Sequence, residues 1–392
     1  MKYDFDKIYN RRNTNSLKYD FAGERGRPDG LIPLWVADMD FRVPDEVVSV
    51  LKKKAEHGIF GYSEPKEDYF GALENWFSSR HGWNVDGRRF VQTCGVVFSI
   101  GALIRALTHI GDAVIICQPV YYPFSQIVTD NGRRLIVSEL KNENGYYTVD
   151  YTDFERKICQ NDVKLFILCN PHNPVGRVWT REELIRMGEI CIRHGVFVIS
   201  DEIHSDFVYE GNRHIPYPTL GERFEESCAV CTAPTKTFNL AGLHIANTYI
   251  YSDSLRRKFT KELDAQGYSQ SNVMGLIACQ AAYTYGAEWL DELKRYLAEN
   301  LSFVRAYLRE HIPQIKLIEP QGTYLIWLDC RALNLTDRQL KQLIQDEAKL
   351  WTDDGYIFGA GGSGFERINI ACPRSTLKQA LENLKQAVEN IQ

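Results

Sequence analysis

The stretch Val163-Lys-Leu-Phe-Ile-Leu-Cys-Asn-Pro-His-Asn-Pro-Val-Gly176 decides the fold. Its first seven residues are too uniformly apolar for a strand with one wet face, so they read as a central strand covered on both sides. The strand then breaks into Asn-Pro-His-Asn-Pro-Val-Gly, a dense turn sequence. Runs of the same kind recur at 113–117, 135–137, 196–200 and 228–232, with helical periodicity between them. That alternation is the pattern of a parallel sheet between helices. The clearest helix follows Thr180, whose hydroxyl can cap Glu183 while Glu183 reaches back, and the pattern stops at His194-Gly195.

Working outward, the 392 residues are 44% apolar and 12% aromatic, with a net charge of −5. This is globular composition without low-complexity tracts or repeats, and it argues against disorder. The mildly acidic balance lacks the dense basic patch of a nucleic-acid partner. Met1-Lys-Tyr-Asp-Phe-Asp6 has no apolar signal core, and no window suits a membrane span, so the expectation is a cytoplasmic protein. The ten cysteines are dispersed, several within apolar runs, which fits buried thiols. Cys228 and Cys231 have half of a zinc or redox spacing, but no second pair completes it, so no metal is expected.

Three parts are expected. Residues 1–50 are turn-rich and would pack on a small domain or a neighbouring subunit. Residues 51–285 form a large α/β domain. Residues 286–392, with a long amphipathic helix near 288–310, a strand in Gly322-Thr-Tyr-Leu-Ile-Trp-Leu328, a helix over 337–348, a strand over 366–372 and a terminal helix, form a smaller α+β domain.

Ligands of open α/β sheets sit at the carboxyl ends of the strands. Three strand ends here finish in Asn170-Pro-His-Asn173, Asp201-Glu-Ile-His204 and Ala233-Pro-Thr-Lys236, so an amide, a carboxylate and a lysine converge on one edge. Asp201 follows Asn173 by 28 positions and Lys236 follows Asp201 by 35. In order and spacing this trio resembles the fold-type I pyridoxal-phosphate enzymes of the aminotransferase class I/II group, over essentially the whole chain. Trp35-Val-Ala-Asp-Met-Asp-Phe41, Tyr121-Tyr-Pro-Phe124, Asp201-Glu-Ile-His-Ser-Asp206, Lys236-Thr-Phe-Asn-Leu-Ala-Gly242 and Arg367-Ile-Asn-Ile-Ala371 are similar to the cystathionine β-lyase and cysteine-conjugate C-S lyase branch.

The resemblance implies a large domain with a mostly parallel, seven-stranded type of sheet, a smaller α+β domain and a pyridoxal 5′-phosphate cofactor. It also implies a homodimer acting on a small amino-acid substrate. Lys236 would link to the cofactor aldehyde and then serve as base at Cα. Asp201 would hold the ring nitrogen, Asn173 the ring oxygen, and Tyr121 would stack on the ring. The amides of Gly95, Val96 and Val97, at a helix start, together with Thr235 and Tyr62, would hold the phosphate, Tyr62 from across a dimer interface. Arg367 would clamp the substrate carboxylate, with Arg374 the competing candidate, and Tyr122 would face the substrate. His204 stands where many relatives have tyrosine and fits either a cofactor contact or a structural partner. Each residue also has a plainer reading: a surface lysine, a helix-capping aspartate, the turn chemistry of Asn-Pro, loop aromatics and a solvated arginine.

Two positions depart from the group. His244 replaces an arginine that reaches the phosphate in many relatives, and Ala233 replaces a serine. Gly359-Ala-Gly-Gly-Ser-Gly364 matches a dinucleotide fingerprint by letter, but a strand pattern follows it, so it reads as a substrate-side loop. The expected activity is a carbon–sulfur β-lyase releasing pyruvate, ammonia and a thiol. The alternatives are an aminotransferase on the same scaffold and a cofactor-loaded regulatory protein.

Overall fold

The computed structural model describes residues 2–391. Strand β1 (Ile32–Pro33) lies apart from the large sheet. That sheet comprises β2 (Phe90–Thr93), β3 (Ala113–Gln118), β4 (Arg134–Glu143), β5 (Tyr146–Val149), β6 (Val163–Cys169), β7 (Phe197–Asp201), β8 (Cys228–Thr232) and β9 (Ala246–Tyr249). Its order is β2-β9-β8-β7-β6-β3-β4-β5. The pairs from β8 through β4 are parallel, and the pairs of β9 with both its neighbours and of β5 with β4 are antiparallel. Every residue of β3 and β8 is buried, because helices cover both faces.

The large sheet therefore has eight strands, one more than the seven-stranded type expected. The extra strand arises because β4 runs on to Glu143, well beyond the three-residue run expected there, and turns through Asn144-Gly145 into β5. Both turn residues have positive φ, 54° and 93°, as a tight hairpin requires. The helix after Thr180 spans Arg181–Arg193 with both bonds of the capping box formed.

β10 (Lys316–Ile318), β11 (Leu325–Asp329), β12 (Leu350–Trp351), β13 (Asp353–Asp354) and β14 (Phe365–Asn369) follow the 25-residue helix Ala287–His311. Strands β10, β11, β14 and β13 make an antiparallel sheet in that order. β1 pairs with β12 in parallel as a separate two-stranded sheet, which ties the amino-terminal segment to the stretch between β11 and β14. The helix expected over 337–348 is α-helical only over Asp337–Gln342 and widens into a π turn over Leu343–Glu347. No helix among the described residues is long and apolar enough to cross a membrane.

The loop that leaves β6 joins the two sheets. The Gly176 carbonyl accepts the amides of Gln321 (2.8 Å) and Gly322 (3.0 Å), and the Gly176 amide donates to the His172 carbonyl. Gly176 has φ +72°, and a Cβ there would lie 2.7 Å from Pro320 Cβ and 2.9 Å from Pro320 Cα. A side chain is thus opposed by both backbone conformation and space. Gly176→Ala is expected to lower unfolding stability by at least about 2 kcal/mol, read as a lower urea midpoint. A midpoint equal to wild type would show that the loop does not hold the sheets together.

Candidate active site

The strand registers set Cys169, Asp201 and Cys231 side by side at the carboxyl edge of the large sheet. Lys236 sits one short step beyond β8, on the helical turn Pro234–Thr237. Its Nζ donates to the Ala37 carbonyl at 2.7 Å, and the Tyr324 hydroxyl donates to the same oxygen at 3.1 Å. Burial pushes the Lys236 ammonium down to about 8, with Arg367 adding to the effect and Asp38 and Asp201 opposing it. Asp201 is displaced the other way. Burial pushes it up to about 7 against the Ile203 amide (3.1 Å) and the charge of Lys236.

Arg367, on β14, reaches this group from the second sheet. Nη1 donates to Asn173 Oδ1 at 3.0 Å, and Nη2 donates to the Trp35 carbonyl at 2.9 Å and to the Asp353 carboxylate. Its guanidinium lies over the Phe358 ring at 4.9 Å, and its Nε is buried without a partner. His204 is buried against Tyr324, with Nδ1 unpartnered. Burial holds its imidazole down to about 3, so the ring is neutral at physiological pH. The Tyr121 and Tyr122 rings stand 5.7 Å apart, and Tyr122 meets Phe358 edge-on. Burial raises both phenols, which keeps them as hydroxyl donors.

Lys236, Asp201, Asn173, Arg367, His204, Tyr121 and Tyr122 are therefore gathered. Gly95 caps the helix Val96–Leu107 on the same sheet edge, with no side chain capping the helix start and open space where a Cβ would stand. Thr235 precedes Lys236 on its turn. Tyr62 is not gathered: it is 94% exposed in the coil between Asp45–His57 and Glu67–His81, lining a groove with Cys94, Tyr268 and His244. Arg374 lies outside the site, donating through Nε to Asn300 (2.6 Å) and stacking on Phe303.

Several residues that build the site were not singled out from the sequence. Thr237 donates to Asp206 Oδ2 at 2.7 Å, and Asp206 Oδ1 also takes Trp76 Nε1 (3.2 Å) and pairs with His81 (2.9 Å). Glu202 accepts from Ser200 (2.9 Å) and the Tyr217 amide (2.9 Å) and pairs with His214 (2.8 Å). Both acids lie in the run 201–206, where the number of acids is the available signal. Asp353 carried no signal beyond its charge.

Residues 29–384 match the family described as aminotransferase class I and II. The chain is 41% identical over 386 residues to the cystathionine beta-lyase PatB of Bacillus subtilis, covering 98% of this chain and 100% of that one. The structure of cystalysin from Treponema denticola, which contains a pyridoxal 5′-phosphate cofactor, superposes with a TM-score of 0.96 at 36% identity, covering all of both chains. The pyridoxal-phosphate-bound C-S lyase from Staphylococcus hominis superposes with a TM-score of 0.91 at 31% identity, covering 98% of each.

The displaced carboxyl of Asp201 has a measurable consequence for the ligand-free protein. Its folded-state value near 7 stands above the ordinary 3.8, so the folded state binds the extra proton between those values. Stability contributed by this group therefore falls as pH rises through that window. Asp201→Asn is expected to remove that fall, so that its urea midpoint exceeds wild type at pH 8 and approaches it at pH 4. Parallel pH profiles for the two proteins would contradict the assignment.

Proposed function

The chain belongs to the aminotransferase class I and II family, and from that premise we propose that it is a pyridoxal-phosphate-dependent carbon–sulfur β-lyase. It takes cystathionine, cysteine or related cysteine S-conjugates to pyruvate, ammonia and a thiol. The observation that carries this reading is the buried Lys236–Asp201 pair opposite Arg367, in a chain 41% identical to a cystathionine beta-lyase. Its ten unpaired cysteines, all but Cys94 and Cys159 buried, suit a cytoplasmic enzyme.

The residues present fit the cofactor. A carboxyl raised to about 7 by burial suits a cationic ring nitrogen, because that partner supplies the charge it lacks. The open space at Gly95, before a helix start that no side chain caps, suits a phosphate. Asn173 lies beside Arg367 and would hold the ring oxygen, Tyr121 the ring face, and Thr235 and the amides of Val96 and Val97 the phosphate. His204, neutral and with a free Nδ1, would hydrogen-bond the ring from the side of Tyr324. Pyridoxal phosphate supplies an aldehyde for amines and an electron sink for negative charge at Cα.

The chain's own residues supply the rest. Lys236 Nζ would anchor that aldehyde and would serve as the base that takes the Cα proton. A value near 8 leaves a usable neutral fraction at physiological pH. The Ala37 carbonyl aims Nζ. Arg367 orients the substrate carboxylate, and so fixes the Cα–H bond relative to Lys236. Thiols ionise near a pKa of about 8.5, so the leaving sulfur needs little acid assistance, which the Tyr122 hydroxyl can provide.

The decisive assay adds cystathionine and pyridoxal phosphate with no 2-oxo acid present. Wild type is expected to release pyruvate catalytically, and Lys236→Ala to lose turnover by at least about three orders of magnitude while still binding the cofactor noncovalently. Pyruvate release that needs an added 2-oxo acid would point to transamination instead.

The functional unit in this reading is a homodimer. Ile59, Phe60 and Tyr62 stand exposed together in the coil between the first two helices, an apolar edge suited to a second copy that receives Tyr62 near its phosphate. Sedimentation is expected to show a dimer, and Tyr62→Ala to weaken retention of pyridoxal phosphate on dialysis. A fully active monomer would remove the cross-subunit role.

A further inference from the structure

Arg367 is held by more than orientation requires. The β14 ladder fixes its backbone, Asn173 Oδ1 and the Trp35 carbonyl accept from its two Nη atoms, and Phe358 supports its face. These are neutral contacts, and together they define the rotamer. A full carboxylate is added to them. Asp353 is the register partner of Arg367 across β13 and β14, is 7% exposed, and pairs directly with Nη2.

Asp353 feels Asp354 and Arg27 as well as Arg367, its direct partner. Asp354 is matched by Arg27 and Lys341, each at 3.4 Å. Burial and Asp354 hold the Glu366 carboxyl well above its ordinary range, and it accepts the Thr352 hydroxyl at 2.6 Å. Asp353 is thus the counter-charge of Arg367, and the clamp with its counter-charge sums to zero.

We propose that Asp353 is a specificity-determining residue that makes the Arg367 clamp select zwitterionic amino acids over carboxylates without an amine, 2-oxo acids above all. The inference rests on the clamp role given to Arg367 above. A 2-oxo acid arrives as a bare anion, so the charge of Asp353 opposes it in full and it keeps little net attraction at a neutralised clamp. An amino acid arrives as a zwitterion, whose ammonium offsets most of that repulsion. The consequence suits elimination: the 2-oxo acid product leaves readily, and an external 2-oxo acid is denied the site it would need to accept an amino group.

The test compares wild type with Asp353→Asn as cofactor-loaded proteins, since asparagine keeps an acceptor for Arg367 and removes only the charge. Asp353→Ser, smaller and equally neutral, is the companion variant. The dissociation constant of pyruvate, measured by calorimetry, is expected to tighten at least about tenfold in both, as removal of a unit charge a few ångströms from a buried anion site predicts. The KM for cystathionine should move less than about threefold. Unchanged or weaker pyruvate binding, or equal tightening of pyruvate and cystathionine, would overturn the proposal. Arg367→Ala separates the two levels: loss of pyruvate binding there, with no gain in Asp353→Asn, would sink the role of Asp353 alone. Pyruvate affinity unaltered by Arg367→Ala would instead remove the clamp role on which it rests.

Discussion

The peptide carbonyls of residues 35–39 form a row of acceptors that the rest of the site is built against. This segment lies outside every strand and helix and bends at Val36-Ala37, so its acceptors would be orphaned if other elements did not reach them. Arg367 takes the oxygen of Trp35, Lys236 and Tyr324 share that of Ala37, and Asn369 Nδ2 bridges Val36 (2.7 Å) and Asp38 (2.6 Å). Asn239 completes the row at Met39. Both sheets and the amino-terminal segment thus meet on five consecutive peptide groups. Arg11 and the fully buried Lys18 fix the same segment from behind through Asp38 and Asp40.

Neutral backbone at the meeting point lets charged groups be buried around it without being quenched. A carbonyl can orient an ammonium without fixing its protonation as a carboxylate would. Lys236 accordingly sits near 8 and Asp201 near 7, each displaced toward its neutral form by burial. Opposite displacements of an amine and an acid in one cleft are the condition under which a base and a counter-ion can coexist at one pH. Arg367 is the exception, carrying a full counter-charge, and its environment differs correspondingly.

The legible parts of the chain were those where local chemistry and tertiary role agree. The uniformly apolar strands, the capping box at Thr180 and the trio Asn173, Asp201 and Lys236 could be read because burial on both faces leaves no alternation to confuse. The edge strand β2 and its neighbour β9 carry no such signal, being four residues long and paired antiparallel at the margin of a parallel sheet. The hairpin to β5 did have a signal, Asn144-Gly145. In the segment 35–41 the side chains carry the sequence signal, yet its contribution comes largely through backbone oxygens, which no pattern of residue types displays. Asp353 escaped for a related reason, since its meaning comes from a strand register between residues 14 positions apart.

The run Asp201-Glu-Ile-His-Ser-Asp206 shows how one strand end can serve two environments. Asp201 is the last residue of β7 and faces Lys236, whereas Glu202 takes its partners from the other side, in Ser200, Tyr217 and His214. The period of two along a strand places adjacent residues on opposite faces, so two neighbouring acids need not repel across one cavity. Asp206 then returns beneath the lysine turn and holds Thr237, the residue after Lys236, while pairing with His81. Burial alone would raise this carboxyl, but His81 and Thr237 outweigh that and hold it below the ordinary range, so it stays ionised. The turn carrying the Lys236 amine is therefore fixed from one side by an acid that keeps its charge, and from the other by a carbonyl that has none. The lysine is positioned at both ends, while the group that raises the pKa of Asp201 is chiefly the apolar sheet itself.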